Sequence, residues 1–134
     1  MSVADYASDF GPFLLFGDRA IPHMRTIADF HADCAAGTLP QICFVDPSFL
    51  GETQNDDHPL ADPRAGQRFV LDTFAAFAAS PQWQRGLFVV TYDEWGGFFD
   101  HMAPAHFADD RAARNDLENF GQAGFRVPTF LASP

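Results

Sequence analysis

Basic residues are scarce in this chain: eight Lys and Arg stand against 18 Asp and Glu, giving a formal charge of -10. Phosphate backbones are gripped by stripes of Lys and Arg, and no such stripe is present, which argues against nucleic acid as the main partner. The same scarcity argues against docking on an anionic membrane through a basic patch. Long apolar runs are also lacking. No stretch approaches the roughly 18 residues of a spanning helix, so no transmembrane segment is expected. The N-terminus has neither the basic start nor the continuous apolar run of a signal peptide. Cysteine is rare: Cys34 and Cys43 make neither a disulfide framework nor a ligand cluster, and they read as small buried hydrophobes. A glycine-rich phosphate loop is missing. Ser48 and Thr53 follow a strand-like run, but neither sits in an elbow that would mark a nucleophile, so the nucleophile is unassigned.

What is present suits one modest domain or a piece of a larger one: 134 residues, 47 % of them hydrophobic, enough to build a core. Sixteen phenylalanines are many for this length, and some would cover surface that another part of a larger protein buries. Residues 1–22 read as irregular. Residues 23–36 read as a helix, with Met24, Ile27, His31 and Cys34 on one buried face and Gly37 as its stop. His31 then reads as a core histidine. Gln41–Val45 is a short buried strand ending at Asp46-Pro47, followed by a polar loop over residues 48–62. Asp62 and Pro63 open a helix as N-cap and first residue, running to about Ala79, with Val70, Phe74, Phe77 and Ala78 facing the core. Ser80-Pro81 breaks it. A strand over Leu87–Tyr92 comes next, then a loop rich in Ala and Asp to about Asn115, then a strand opening at Arg126. The order strand, long helix, strand is a crossover unit, which predicts parallel neighbours with both polar loops on one sheet edge. A parallel sheet needs both faces covered, and the elements here barely suffice. Residues 1–134 are therefore expected to form a single partial domain, a fragment of a larger α/β protein.

The richest stretch is Thr91-Tyr92-Asp93-Glu94-Trp95-Gly96-Gly97-Phe98-Phe99-Asp100-His101, directly after Leu87-Phe88-Val89-Val90. Charges at the end of a buried strand are costly unless something pairs with them. Neighbours on a regular strand point to opposite faces, so Asp93 and Glu94 serve one site only where the backbone turns, and Gly96-Gly97 permits that turn. Such oxygen donors suit Mg, Ca, Mn or Zn; a solvated strand end is the plainer alternative. His58, within Asp56-Asp57-His58-Pro59, has the chemistry to bind a phosphate oxygen, protonate a leaving group or ligate a metal, or the loop is simply a surface turn. Asp57 would support it. Asp100 and His101 either position an imidazole or tie down the loop. Trp95 walls a pocket or packs.

Taken in order, these motifs resemble the bacterial phosphoesterase family that contains phosphatidylcholine-cleaving phospholipases C and certain acid phosphatases. The block Asp93-Glu94-x-Gly96-Gly97-x-x-Asp100-His101 is its specific part. Gly37-Thr38-Leu39-Pro40, Phe44-Val45-Asp46-Pro47, Asp57-His58-Pro59, Arg64-Ala65-Gly66, Ser80-Pro81-Gln82-Trp83 and Arg126-Val127-Pro128 add weight by their order, and the likeness covers roughly residues 25–134. It implies an α/β, alkaline-phosphatase-like sandwich with a mostly parallel sheet and crossover helices. It implies metal-assisted hydrolysis of phosphate esters through a Ser or Thr nucleophile. By this resemblance Asp93 and Glu94 are metal ligands, His58 contacts the phosphoryl group or its leaving oxygen, and the cofactor is a divalent metal ion of unspecified identity. The substrate would be a phosphomonoester or a phospholipid-type diester. The family's Glu-Asn pair, its nucleophile and its other histidines have no counterpart in this chain. The resulting expectation is a C-terminal-side fragment that is inactive by itself. Members are often exported, to the periplasm or beyond. Other readings are a non-catalytic remnant or binding module, and a sulfatase-like hydrolase of the same superfold.

Overall fold

In the computed structural model, residues 1–9, 11–109 and 120–134 are described. The expected Ala- and Asp-rich loop therefore lies partly outside the described residues. The chain divides into two compact units, Met1–Phe88 with Leu131–Pro134, and Val89–Phe130.

The first unit is built on a three-stranded parallel sheet of β1 (Val3–Ala7), β2 (Met24–Thr26) and β3 (Ile42–Asp46), with β1 in the centre. Helix α1 (Ile27–Ala36) links β2 to β3 across β1, and this is the crossover unit of the structure. Its start is fixed by a reciprocal cap: Thr26 Oγ1 accepts from the Asp29 N–H, and the Asp29 carboxylate accepts from the Thr26 N–H. Gly37, at φ 70°, ends it in the left-handed region that glycine tolerates. Successive strand residues alternate faces, so Ala4 and Tyr6 meet α1 while Asp5 and Ala7 look the other way. Ala4, Tyr6, Phe30 and Cys34 form the core, with Ile27, Leu39, Cys43, Val45, Ala76 and Phe77 packed around it. The Tyr6 and Phe30 rings meet edge to face at 5.4 Å. Both cysteines are free, and burial pushes each thiol up to about 11.

Helix α2 (Pro63–Ala78) begins where Asp62 accepts from the Arg64 N–H, as the sequence predicts. Val70, Phe74, Phe77 and Ala78 are half-buried. Phe74 and Phe77 hold Trp83 edge to face at 5.8 and 5.3 Å. Beyond them, β4 (Phe88–Thr91) pairs with β5 (Thr129–Ala132) in a two-stranded sheet. No described helix is long and apolar enough to cross a membrane.

Three expectations are corrected. Residues 1–22 are not irregular: they supply β1, the central strand, and 3-10 turns over Pro12–Arg19 and Ile21–His23. Its core face is only Ala4 and Tyr6, too little apolar alternation to announce a strand. His31 is exposed, because Phe30 and Cys34, a full turn apart, take the buried face of α1. Finally, β3 and β4 belong to different sheets, since β1 and β5 occupy the pairing edges that the simple crossover gave to each other. The parallel α/β class itself holds, and it is consistent with part of an alkaline-phosphatase-like sandwich.

Candidate functional site

The first unit carries the histidine loop. Its beginning is fastened by Asp9, whose carboxylate accepts from Ser48 Oγ at 2.9 Å and from the Phe49 and Leu50 N–H groups at 3.0 Å. Asn55 closes the loop on itself: its Oδ1 accepts from the Ser48 N–H at 2.6 Å, and its own N–H donates to the Ser48 carbonyl at 2.9 Å. Asp56 then turns the chain by accepting from the His58 N–H at 3.3 Å, an Asx turn. Asp57 at φ 62° and Leu60 at φ 89° flank His58 in the left-handed region. Asp tolerates that region, whereas Leu does so rarely. The Asp57 carboxylate lies against Gly66 in the first turn of α2, where a side chain would collide with it. The positive end of the helix favours that placement. His58 itself is exposed, with Nδ1 3.2 Å from the Pro59 carbonyl.

The second unit carries the paired acids. Strand β4 stops at Thr91, and Asp93 and Glu94 lie in the bend that follows, both exposed. Gly96 at φ 69° and Gly97 at φ 79° make the turn, which is the role the sequence gives them. Trp95 packs on Phe125 with ring centres 4.5 Å apart. Asp100 is bound fork to fork by Arg126, at 2.8 Å from Nε and 2.7 Å from Nη2, and it also accepts from the Met102 N–H at 3.0 Å. The Arg126 guanidinium first, and the Met102 N–H second, hold the Asp100 carboxyl well below the usual carboxylate range. His101 Nδ1 lies 3.7 Å from the same carboxylate. Asp100 thus ties the loop to Arg126, a partnership the sequence reading did not foresee; both residues stood in its motifs, 26 positions apart.

His58 therefore belongs to one unit and Asp93 with Glu94 to the other. Asp93 and Glu94 offer the hard oxygen donors that a divalent cation prefers. Among the described residues, no group of three or more His, Cys, Asp or Glu is placed to hold a metal ion. The donor chemistry fits such an ion, and the number of donors does not complete its site. A cleft of about 370 Å³ in the first unit is lined by His31, Glu52, Asn55, Arg68, Asp72 and Thr73 among others, and His58 is not part of it.

These observations define a parallel α/β scaffold whose loops present histidine and paired acids. The chain belongs to the Phosphoesterase family, whose sequence profile matches residues 8–134. It is similar to non-specific phospholipase C4 of Arabidopsis thaliana, at 40 % identity over 140 aligned positions covering 93 % of this chain and 26 % of the relative. Non-specific phospholipase C6 of the same plant is 37 % identical over 78 % of this chain and 22 % of its own length. Phospholipase C B of Mycobacterium tuberculosis is 35 % identical over 79 % of this chain and 22 % of its own. The chain thus spans about a quarter of the length of the relatives it matches.

Proposed function

We propose that this chain is part of a metal-dependent phosphoesterase, of phospholipase C or acid phosphatase type, that hydrolyses phosphate esters. One observation carries the reading: two adjacent carboxylates freed at a strand end by two left-handed glycines, in a chain matched to the Phosphoesterase family over residues 8–134. Asp93 and Glu94 supply two oxygen ligands to a divalent cation. When bound, such a cation lowers the pKa of an attacking hydroxyl and neutralises charge on the phosphoryl oxygens. His58 contacts the phosphoryl group or gives a proton to the leaving oxygen, which its exposed imidazole is free to do. Arg126 and Asp100 fix the loop that follows the acids. The names of the relatives favour a phospholipid-type diester as substrate. The nucleophile and remaining ligands belong to the rest of a parent about four times as long, by the length of those relatives.

The test uses the full-length parent. Asp93→Asn and Glu94→Gln are each expected to lower bound metal, measured by elemental analysis, together with turnover of a phosphate diester. His58→Ala is expected to lower kcat about 10²- to 10⁴-fold with metal content unchanged. Wild-type metal content and turnover in all three variants would instead show that these side chains do no chemistry, leaving this chain as scaffold within the parent.

A further inference from the structure

Asp5 and Asp46 have no part in the phosphoesterase chemistry proposed above. Asp5 lies on the central strand and is 0 % exposed. In the β1–β3 register Asp5 is opposite Phe44 and Ala7 is opposite Asp46, so the two acids share a face, one diagonal step apart. The chain after β1 folds back over Asp5. The Phe13 N–H donates to Oδ2 at 3.4 Å, the Phe13 ring sits 5.1 Å from that of Phe44, and a side chain at Gly11 would run into Oδ2. This leaves Oδ1, which is buried and has no donor among the described groups. The diagonal step puts the Asp46 side chain beside Asp5, and that contact is one cause of its raised pKa. Two ionised carboxylates so placed would repel, and neither would offer the other a proton. A single proton removes both costs.

We propose that Asp46 holds a proton and donates it to Oδ1 of Asp5, so that the pair carries one negative charge and latches the end of β3 to β1 in a pH-dependent way. The latch sits immediately before Pro47 and the loop that bears His58. It rests on the strand register and the orphaned oxygen, independently of the phosphoesterase chemistry. Burial first, and the contact with Asp5 second, raise the Asp46 carboxyl to about 7.

Of the other titratable groups around β1, His23 turns its Nδ1 to the Val3 carbonyl at 3.2 Å. Asp9, on the chain after β1, is engaged with Ser48, Phe49 and Leu50. Arg25 of β2 and Asp33 of α1 gather at the Tyr6 hydroxyl, and Cys43 of β3 pairs in register with Ala4; all three lie on the other face of β1. No ion pair among the described residues includes Asp5 or Asp46. The sign follows from proton binding. Unfolded Asp46 titrates near 3.8 and folded Asp46 near 7, so the folded chain binds the extra proton in between. The latch is fully effective below the unfolded value, weakens as pH rises, and is gone once the folded value is passed.

Carbon NMR titration of the aspartate carboxyls in the 134-residue chain tests this directly. One aspartate is expected to titrate near neutrality, and its signal to vanish in Asp46→Asn. In Asp5→Asn, the Asp46 signal is expected to return toward the ordinary carboxylate range. Urea unfolding supplies the second measurement. Between about pH 5 and about pH 8 the wild-type midpoint is expected to fall relative to that of Asp46→Asn, whose amide donates at every pH. All aspartates titrating below about pH 5 would overturn the proposal, as would parallel midpoints in the two proteins. Should Asp46→Asn fail to fold, the wild-type titration decides alone.

Discussion

Asp100 shows how much one side chain can organise. Its carboxylate is 13 % exposed and holds the Arg126 fork at one end of the acid-bearing loop. Its pKa is depressed, so the stabilisation is present above the unfolded value near 3.8 and disappears as pH falls below it. Trp95, packed on Phe125 next to Arg126, reports on this loop. In a Trp83→Phe background, Trp95 fluorescence is expected to change in a transition below about pH 4, and Asp100→Asn is expected to show the acid-form spectrum already at pH 7. Gly66 is the matching point for the histidine loop. In Gly66→Ala the new methyl meets the Asp57 carboxylate and must displace it. Faster amide exchange over residues 56–60 is expected, with α2 otherwise retained; unchanged exchange would show that Asp57 does not brace the loop. At this scale the sequence was informative where the signal is local. Gly96 and Gly97 announce positive φ by residue type, and both have it. The Asp100–Arg126 pair was hidden, because nothing in either residue's neighbourhood names a partner so far along the chain.

Elements were legible in proportion to how strongly their ends are marked. Asp62-Pro63 writes the start of α2 in two residues, and the helix begins there. Helix α1 was expected from residue 23 but starts at Ile27, since Thr26 and Asp29 form the cap and residues 24–26 are drawn into pairing with β1. Thr26→Ala removes the acceptor for the Asp29 N–H and is expected to cost about 1 kcal/mol, read from urea unfolding. A loss indistinguishable from zero would mean that the tertiary contacts of Phe30 and Cys34 alone set the helix start. Strand β1 was illegible for a physical reason. Asp5 is a charged residue type at its centre, and a fully buried acid contradicts the pattern by which strands are recognised. Strand pairing was the other failure: β3 and β4 each have the right composition, but which strand sits beside which depends on contacts far apart in sequence.

The molecule as a whole is defined by what it leaves uncovered. Phe98 and Phe99 in the second unit, and Leu15 and Phe16 in the first, are among many large apolar side chains that stay open to solvent. Soluble monomers rarely expose apolar surface on that scale without a use for it. The relatives are about four times as long, so this chain matches only about a quarter of each. In this chain the His58 loop and the Asp93–Glu94 bend lie in separate compact units, and no described group gathers three metal donors. Hydrolysis needs a nucleophile, a charged site for the phosphoryl oxygens and a proton for the leaving group at one place, and the described residues present only parts of that set. The 134 residues alone are therefore expected to show no turnover of a chromogenic phosphate ester above buffer, with Mg, Ca, Mn or Zn added in turn. The full-length parent, assayed alongside, is expected to turn over. Metal-dependent hydrolysis by the chain alone, abolished in both His58→Ala and Asp93→Asn, would overturn this. It would mean that the chain's own groups suffice for the reaction and that one of its Ser or Thr residues is the nucleophile.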